Sequence, residues 1–176
     1  MQSTTPLLSD SINLYSITFE KTPSDYAILK IHTLPESGGD TLWASAYEAY
    51  DRLSTPYQKF LEGLTAVNSA HRFNVIAARH GRKVRSDERG APDNVGEVLE
   101  SVHPVIRTNP VTGWKGLFVN REFTKRIREV TKDESDAILE YLFKLVSQNH
   151  DLQVRFKWNK NDIAIWDNRS VFHTAT

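Results

Sequence analysis

Alternating strand patterns near the carboxyl end constrain the fold of this chain more than any other feature. In LQVRFKW, residues 152–158, apolar and polar residues alternate as in a strand, and IAIW, residues 163–166, is typical of an inner strand. The four residues NKND between them predict a tight turn. The same patterns predict strands at residues 13–19, 26–34, 98–107 and, after a turn at Pro110 to Gly113, 114–120. We expect the first two of these to pair or to lie side by side.

Helical patterns interrupt the strands at irregular intervals. The segment LWASAYEAYDRLSTPYQKFLEGL, residues 42–64, has apolar residues at helical spacing, and Ser54-Thr55-Pro56 predicts that one helix ends and another begins. The segment DESDAILEYLFKLVSQ, residues 133–148, predicts a helix of about four turns, because it has one apolar stripe and acidic residues in its first turn. This alternation is too irregular for repeated βαβ units. The sequence therefore predicts a mainly β protein with inserted helices (α+β), built on a β-sandwich or jelly-roll core.

One densely charged segment, RHGRKVRSDERGAPDNVG at residues 79–96, contains Gly and Pro and lacks a periodic apolar pattern. It predicts a mobile surface loop. Its first half has four basic residues that could bind phosphates, but Asp87 and Glu88 follow directly. The pattern therefore favours a solvated loop over a nucleic-acid site.

Composition limits the class of protein. A chain of 176 residues is the size of one ordinary domain. With 22 Lys and Arg against 22 Asp and Glu, the formal net charge is +0, so no overall field attracts nucleic acid or an anionic membrane. The chain has no cysteine, so a metal site would need His, Asp or Glu ligands. We see neither a signal-peptide pattern nor an apolar run that could span a bilayer, and we expect a cytoplasmic protein.

Among six histidines, His173 has the most distinctive setting. It follows a strand pattern and the turn formers Asp167-Asn168, an arrangement that could present an imidazole at the mouth of a barrel. A single histidine cannot hold iron or zinc, because an open catalytic metal site needs about three protein ligands. The chain has no His-x-Asp, His-x-Glu or His-x-x-x-His pair, no nucleophile elbow and no phosphate-binding glycine loop. Spacing alone therefore indicates a globular, β-rich domain with one well-presented histidine.

Three stretches, in this order, carry a family resemblance: SITFEKTPSDYAILKIHTLPESGGDTLWASAYEAYDRLS, HPVIRTNPVTGWKGLFVN and QVRFKWNKNDIAIWDNRSVFHTA. Over residues 16–175 the sequence resembles the TauD/TfdA (taurine dioxygenase-like) family of Fe(II)- and 2-oxoglutarate-dependent dioxygenases, and within it the fungal sulfonate-dioxygenase-like members. The resemblance implies a double-stranded β-helix, or jelly roll, of the clavaminate synthase type. It also implies iron held by two histidines and one carboxylate, with 2-oxoglutarate as cosubstrate and a small sulfonate or carboxylate as substrate.

The resemblance assigns roles to individual residues. His173 matches the distal iron-binding histidine, and Thr41 matches the threonine whose hydroxyl helps to bind 2-oxoglutarate. The paired glycines before Thr41 would let backbone and hydroxyl approach the cosubstrate. Phe123 matches an aromatic residue near the primary substrate. Residues 166–169 would form the scaffold that orients His173.

The sequence departs from the family pattern in two respects. The family's His-x-Asp pair aligns with Leu14 and Ser16, and neither leucine nor a neutral serine hydroxyl can replace these ligands on Fe(II). The arginine that the family places about a dozen residues after the distal histidine, where it binds the far carboxylate of 2-oxoglutarate, would lie beyond Thr176. We interpret the ends as the result of a shifted start, an unspliced segment or an abridged gene, and expect the jelly roll to be incomplete.

The domain boundaries and partners follow from these departures. We expect residues 1–15 to be a poorly determined lead-in, and residues 16–176 to form the dioxygenase domain without its C-terminal closing strand. The first hypothesis is a dioxygenase, although this chain alone is expected to hold iron poorly. The alternative is a catalytically inactive fragment or partner protein. Exposed sheet edges would favour a homo-oligomer or pairing with a full-length homologue, and no nucleic-acid or membrane partner is expected.

Overall fold

The computed structural model describes residues 17–176. The strands in this range are β1 (Tyr26–Lys30), β2 (Thr41–Ser45), β3 (Thr65–Ser69), β4 (Glu100–Pro104), β5 (Ile106–Thr108), β6 (Lys115–Leu117), β7 (Thr124–Ile127), β8 (Gln153–Phe156), β9 (Ile163–Asp167) and β10 (Val171–Ala175). The helices are α1 (Ala46–Asp51), α2 (Thr55–Glu62), α3 (His71–Arg79) and α4 (Lys132–Ser147), and a 3-10 turn covers His150–Leu152. None of the helices in residues 17–176 combines the length and the apolar character needed to cross a membrane.

Antiparallel pairs of strands that are distant in sequence organise the described part of the chain. β2 lies between β10 and β8, and β3 lies between β4 and β7. β1 pairs with β9, and β5 with β6. The chain is therefore mainly β with inserted helices, as predicted, and all of these ladders except the local β5–β6 pair join strands far apart in sequence, as in a jelly roll.

The main core forms where α4 packs beside α1 and β2. Leu139, Leu142 and Val146 of α4 are buried together with Ala44 of β2 and Phe172 of β10. The predicted helix at residues 133–148 is confirmed, and its start has a physical cause. The Thr131 side chain accepts a hydrogen bond from the Glu134 backbone N–H, while the Glu134 carboxylate accepts one from the Thr131 backbone N–H.

Several predicted boundaries were wrong. The helical pattern at residues 42–64 begins as strand β2 and becomes helical only at Ala46. The predicted strand at residues 26–34 is shorter and pairs with β9 rather than with the strand expected before it. Of that expected strand, residues 17–19 do not form a strand, and residues 13–16 lie outside the described range. The predicted strand at residues 98–107 is divided into β4 and β5.

The charged segment at residues 79–96 is irregular after the end of α3, as predicted, but it is anchored rather than a loose surface loop. The Arg89 guanidinium pairs with the buried Glu20 carboxylate, with an Nε–Oε1 distance of 2.6 Å. The Asn94 side chain, also buried, accepts from the Thr22 backbone N–H and donates to the Thr22 carbonyl. These contacts hold the middle of the segment against the turn at residues 17–22.

Candidate functional site

Strands β2 and β10 bring two of the predicted site residues onto one face of a sheet. His173 lies directly opposite Trp43, and Thr41 lies opposite Ala175. Directly paired residues in an antiparallel ladder, and residues two positions apart on one strand, point to the same side. Thr41, Trp43 and His173 therefore share a face, whereas Ala44 and Phe172 point into the core on the other side.

Thr41 is held by a hydrogen bond to its hydroxyl. Its side chain is buried, and Oγ1 accepts a hydrogen bond of 3.0 Å from Nε1 of the buried Trp158. Shortly before Thr41 in the sequence, Gly38 and Gly39 adopt φ values of +72° and +77°, a region that favours glycine. Here the glycines let the backbone approach the last residue, because the Gly39 N–H donates to the Thr176 carbonyl at 2.9 Å.

His173 lies half-buried against an aromatic cluster. The centroid of its ring is 4.9 Å from that of Trp166, which in turn is 5.4 Å from the ring of Trp43. Burial lowers the pKa of His173 to about 4, so the imidazole is neutral at neutral pH. The neutral imidazole is the form that binds a metal ion.

The turn before β10 is a dense polar network. Arg169 donates from Nε and Nη2 to the two oxygens of the Asp167 carboxylate, both at 2.8 Å, and also to the Tyr26 hydroxyl at 3.0 Å. The Trp166 Nε1–H donates to the Asn168 side-chain oxygen at 2.9 Å. The bond to Asn168 orients Trp166, whose ring packs on His173, and the role of residues 166–169 as a scaffold stays a prediction.

Phe123 lies in a different cluster from Thr41 and His173. It is buried against Phe19, at 4.9 Å between ring centroids, and against Phe73, at 5.9 Å. It precedes β7, in the sheet formed by β4, β3 and β7. Its predicted role near the substrate remains a prediction.

The described residues do not by themselves form a metal site of two histidines and one carboxylate. Between residues 17 and 176, no group of three or more His, Asp or Glu side chains is placed to hold a metal ion. The positions that align with the other two ligands, Leu14 and Ser16, lie outside this range. The role of His173 as a metal ligand stays a prediction.

Sequence reasoning missed two tryptophans at the site. Trp158 bonds to Thr41, and Trp43 lies opposite His173, with its buried Nε1 making no hydrogen bond within residues 17–176. The alternation in LQVRFKW could have placed Trp158 on a buried face. Its pairing with Thr41 joins residues 117 positions apart, which no local pattern reveals.

Comparison with known proteins relates this geometry to a family. Residues 15–176 match the family model described as taurine catabolism dioxygenase TauD, TfdA family. The alpha-ketoglutarate-dependent dioxygenase oryG of Aspergillus oryzae is 48% identical over 160 residues, which are 90% of this chain and 47% of that protein. The alpha-ketoglutarate-dependent sulfonate dioxygenase of Saccharomyces cerevisiae is 38% identical over 159 residues, 90% of this chain and 36% of that protein.

A solved structure supports the same relationship. The crystal structure of a taurine dioxygenase from Burkholderia xenovorans superposes with a TM-score of 0.73 at 33% identity, covering 92% of this chain and 49% of that one. This likeness confirms the predicted jelly-roll fold. The chain spans about half the length, or less, of the curated relatives it matches. With the family model matching residues 15–176, the chain belongs to the taurine catabolism dioxygenase TauD, TfdA family.

Proposed function

We propose that this chain forms part of an Fe(II)- and 2-oxoglutarate-dependent dioxygenase that oxidises a small sulfonate or carboxylate. In this proposal, His173 supplies one imidazole ligand to the metal, and Thr41 contacts a carboxylate of 2-oxoglutarate. Iron in such enzymes supplies the centre at which dioxygen is activated. No group of three metal-binding side chains forms within residues 17–176, so the contribution proposed for these residues is to bind and to orient.

The observation that carries the proposal is the register of β2 and β10. His173 faces Trp43, and Thr41 is the next residue along β2 on the same side. Such diagonal neighbours lie about 7–8 Å apart across a ladder. A five-carbon dicarboxylate held near His173 could therefore also meet the Thr41 hydroxyl. The hydrogen bond from Trp158 uses one lone pair of that hydroxyl and leaves its O–H able to donate to a carboxylate.

The printed names of the relatives support the cosubstrate and the class of substrate. The Aspergillus oryzae protein is named as alpha-ketoglutarate-dependent, and the Saccharomyces cerevisiae protein is named as a sulfonate dioxygenase. The lowered pKa of His173 supports the role of ligand, since the imidazole needs no deprotonation at neutral pH before it can bind a metal ion.

The proposal is tested by metal-dependent binding of 2-oxoglutarate to the purified chain. Tryptophan emission provides the signal, because Trp43 and Trp166 lie at the site. A single imidazole is a weak metal site, so Fe(II) is titrated anaerobically over a wide range of concentration. Succinate formation with a panel of sulfonates and carboxylates is then measured in air.

Three variants separate the proposed roles. We expect His173→Ala to lose the metal-dependent part of the signal and succinate formation, and Thr41→Val to weaken 2-oxoglutarate binding without changing the binding of metal alone. His150→Ala, at an exposed histidine, is the matched control and should behave like the native chain. If the native chain binds no 2-oxoglutarate with metal present, or if His173→Ala binds it equally well, the proposed function is wrong.

A further inference from the structure

A cavity of about 420 Å³ opens between helix α1 and the turn that precedes β6. Neither Thr41 nor His173 lines it, so it is separate from the candidate site. Its volume is within the range of about 300–1,000 Å³ that is usual for small-molecule sites. The side chains around it combine aromatic rings with charged groups, and they are Ser45, Tyr47, Glu48, Asp51, Trp114 and Lys115.

Two aromatic rings meet at nearly a right angle in this cavity. The rings of Tyr47 and Trp114 pack edge to face, with centroids 5.4 Å apart and an angle of 84° between their planes. Trp114 is 64% exposed, so most of its surface is free to contact another molecule. The face of an indole ring is the negative part of its quadrupole and attracts organic cations.

A buried asparagine fixes the Tyr47 ring and the backbone that carries Trp114. Asn109 is 3% exposed, and its Nδ2 donates to the Tyr47 hydroxyl at 2.8 Å. Its backbone N–H donates to the Trp114 carbonyl at 2.8 Å, and its side-chain oxygen accepts from the Val111 backbone N–H at 2.9 Å. The aromatic corner is therefore arranged before a ligand arrives, which lowers the ordering cost of binding.

The carboxylates of the cavity wall come from α1. Glu48 and Asp51 lie three residues apart on this helix, so their side chains are neighbours on one side of it. Within residues 17–176, Asp51 forms no ion pair. The Glu48 carboxylate is 3.3 Å from Arg52, whose guanidinium also pairs with Asp151 at 3.6 Å. The negative charge of this wall is therefore only partly compensated.

The cation that lines the cavity is already paired. The Lys115 Nζ lies 2.6 Å from the Glu62 carboxylate, and this hydrogen bond lowers the pKa of Glu62. Glu62 does not line the cavity, so the pair neutralises the lysine from outside. The two carboxylates of α1 therefore determine the charge that a ligand meets, and this charge is negative.

These features select among the possible cations. A bare metal ion would leave the rings unused, and no group of three metal-binding side chains forms within the described range. A primary ammonium is a compact and strongly hydrated charge, which favours its staying in water. A trimethylammonium group spreads its charge over methyl groups that pack on aromatic rings, as in the aromatic cages that bind quaternary ammonium ligands.

We infer that this cavity binds a trimethylammonium group, with its methyl groups against the rings of Trp114 and Tyr47 and its charge facing Glu48 and Asp51. The inference goes beyond the proposed function, because none of these residues is assigned to iron, to 2-oxoglutarate or to the oxidised substrate. It gives the chain a second binding site, for an organic cation.

The test is a binding experiment without metal or 2-oxoglutarate, so its outcome does not depend on the proposed function. Choline, its uncharged isostere 3,3-dimethylbutan-1-ol, ammonium chloride and Mg²⁺ are titrated into the native chain, and the amide and indole N–H signals are followed by NMR. We expect saturable binding of choline, at least about fivefold tighter than that of the other three. The shifted signals should be those of Tyr47, Glu48 and Trp114.

A peptide that carries trimethyllysine distinguishes the source of the group. Tighter binding of the peptide than of choline indicates a methylated protein, and equal or weaker binding indicates a free small molecule.

Variants separate the aromatic contribution from the charge. Trp114→Leu should weaken choline binding about two- to fivefold, the range for an exposed cation–π contact, and Trp114→Phe should weaken it less. Glu48→Gln combined with Asp51→Asn should weaken it about three- to tenfold, because two exposed charge contacts add approximately. Glu36→Gln removes an exposed carboxylate outside the cavity and should leave binding unchanged.

Three results would overturn the inference: no saturable binding of choline, equal binding of its uncharged isostere, or shifted signals centred away from Trp114. Binding that is insensitive both to Trp114→Leu and to the double carboxylate change would overturn it as well. Loss of metal-dependent 2-oxoglutarate binding, with intact binding of choline, would contradict the proposed function alone. The two proposals can therefore fail separately.

Discussion

The pair formed by Asp167 and Arg169 predicts a large, pH-dependent loss of stability when its carboxylate is removed. Arg169 is held by two hydrogen bonds to that carboxylate, by the Tyr26 hydroxyl and by an ion pair of 3.3 Å with Asp25. The substitution Asp167→Asn keeps the size of the side chain and one acceptor oxygen. It removes the charge that balances a guanidinium whose side chain is only 6% exposed.

The magnitude follows from this burial. Removing one partner of a fully buried ion pair costs about 3–5 kcal/mol. Asp167 is 23% exposed and Asp25 still offers some compensation, so we expect about 2–3 kcal/mol for Asp167→Asn. In a chain of this length, 1 kcal/mol corresponds to about 2–4 °C, which gives a decrease in Tm of about 4–12 °C.

The dependence on pH has a definite sign. The hydrogen bonds from Arg169 hold the pKa of Asp167 below its ordinary value, so the folded chain binds a proton there less readily than the unfolded chain. The contribution of the pair is fully present above the unfolded pKa of about 3.9 and is lost as pH falls through the lower folded pKa. The variant lacks this group, so the stability gap between the two chains should be constant from about pH 5 to about pH 8 and should narrow below about pH 4.

Urea denaturation followed by tryptophan fluorescence measures this gap, provided that the transition is cooperative and reversible. Asp151→Asn is the matched control, because its carboxylate is 81% exposed and lies 3.6 Å from Arg52. We expect no measurable loss from it. The reasoning is refuted if Asp167→Asn is no less stable than Asp151→Asn, or if the gap widens in acid.

Two further predictions follow from buried polar contacts. Trp158→Phe should destabilise the chain by about 1–2 kcal/mol, because it removes the donor to the buried Thr41 hydroxyl, whereas Trp114→Phe at an exposed site should have little effect; urea midpoints give both values. Burial also lowers the pKa of His103, so the unfolded chain binds more protons there and native stability should fall as pH decreases below about 6.5. Part of this loss of stability at low pH should be absent from His103→Gln and present in His71→Gln. Denaturation at several pH values measures it.

Each of these predictions has a clear contrary result. If adding Thr41→Val to Trp158→Phe costs the full sum of the two single changes, the side chains are not coupled through their hydrogen bond. If His103→Gln retains the whole acid-dependent loss, the lowered pKa of His103 contributes nothing to stability. That loss would then come from other groups, such as the half-buried His173 and the carboxylate of Asp167, whose pKa values are also lowered.

The local sequence pattern was sufficient to predict the helix that buries an apolar stripe of its own residues. The helix predicted at residues 133–148 was found at Lys132–Ser147, because Leu139, Leu142 and Val146 face the core at helical spacing. α3 was not predicted, and none of its residues is buried. Its apolar residues Phe73, Ile76 and Ala77 nevertheless recur at helical spacing, so the pattern could have predicted this helix.

The elements that were predicted wrongly are those whose structure depends on partners distant in sequence. β2 was read as helical because its residues continue the apolar spacing of α1, but its backbone bonds to β10 on one side and β8 on the other. The segment at residues 79–96 was expected to be mobile because it is densely charged and lacks an apolar period, but its partners are remote in sequence. Arg89 reaches Glu20, which is 69 positions away in sequence.

The candidate site was predictable only in part for the same reason. The setting of His173, after a strand and a turn, was visible in sequence, and the family resemblance selected Thr41. That the two residues share a sheet face is a property of strand register, which is set by pairing across almost the full described range.

The central position of β2 in its sheet has a consequence for how substitutions can change the candidate site. Its backbone is tied on both edges, so the separation between the Thr41 and His173 positions is determined by peptide hydrogen bonds and not by the side chains themselves. Substitutions at these two positions can therefore alter the chemistry offered to a ligand while the geometry stays constant. The sheet holds the backbone positions constant, so different side chains could be substituted there without changing the fold.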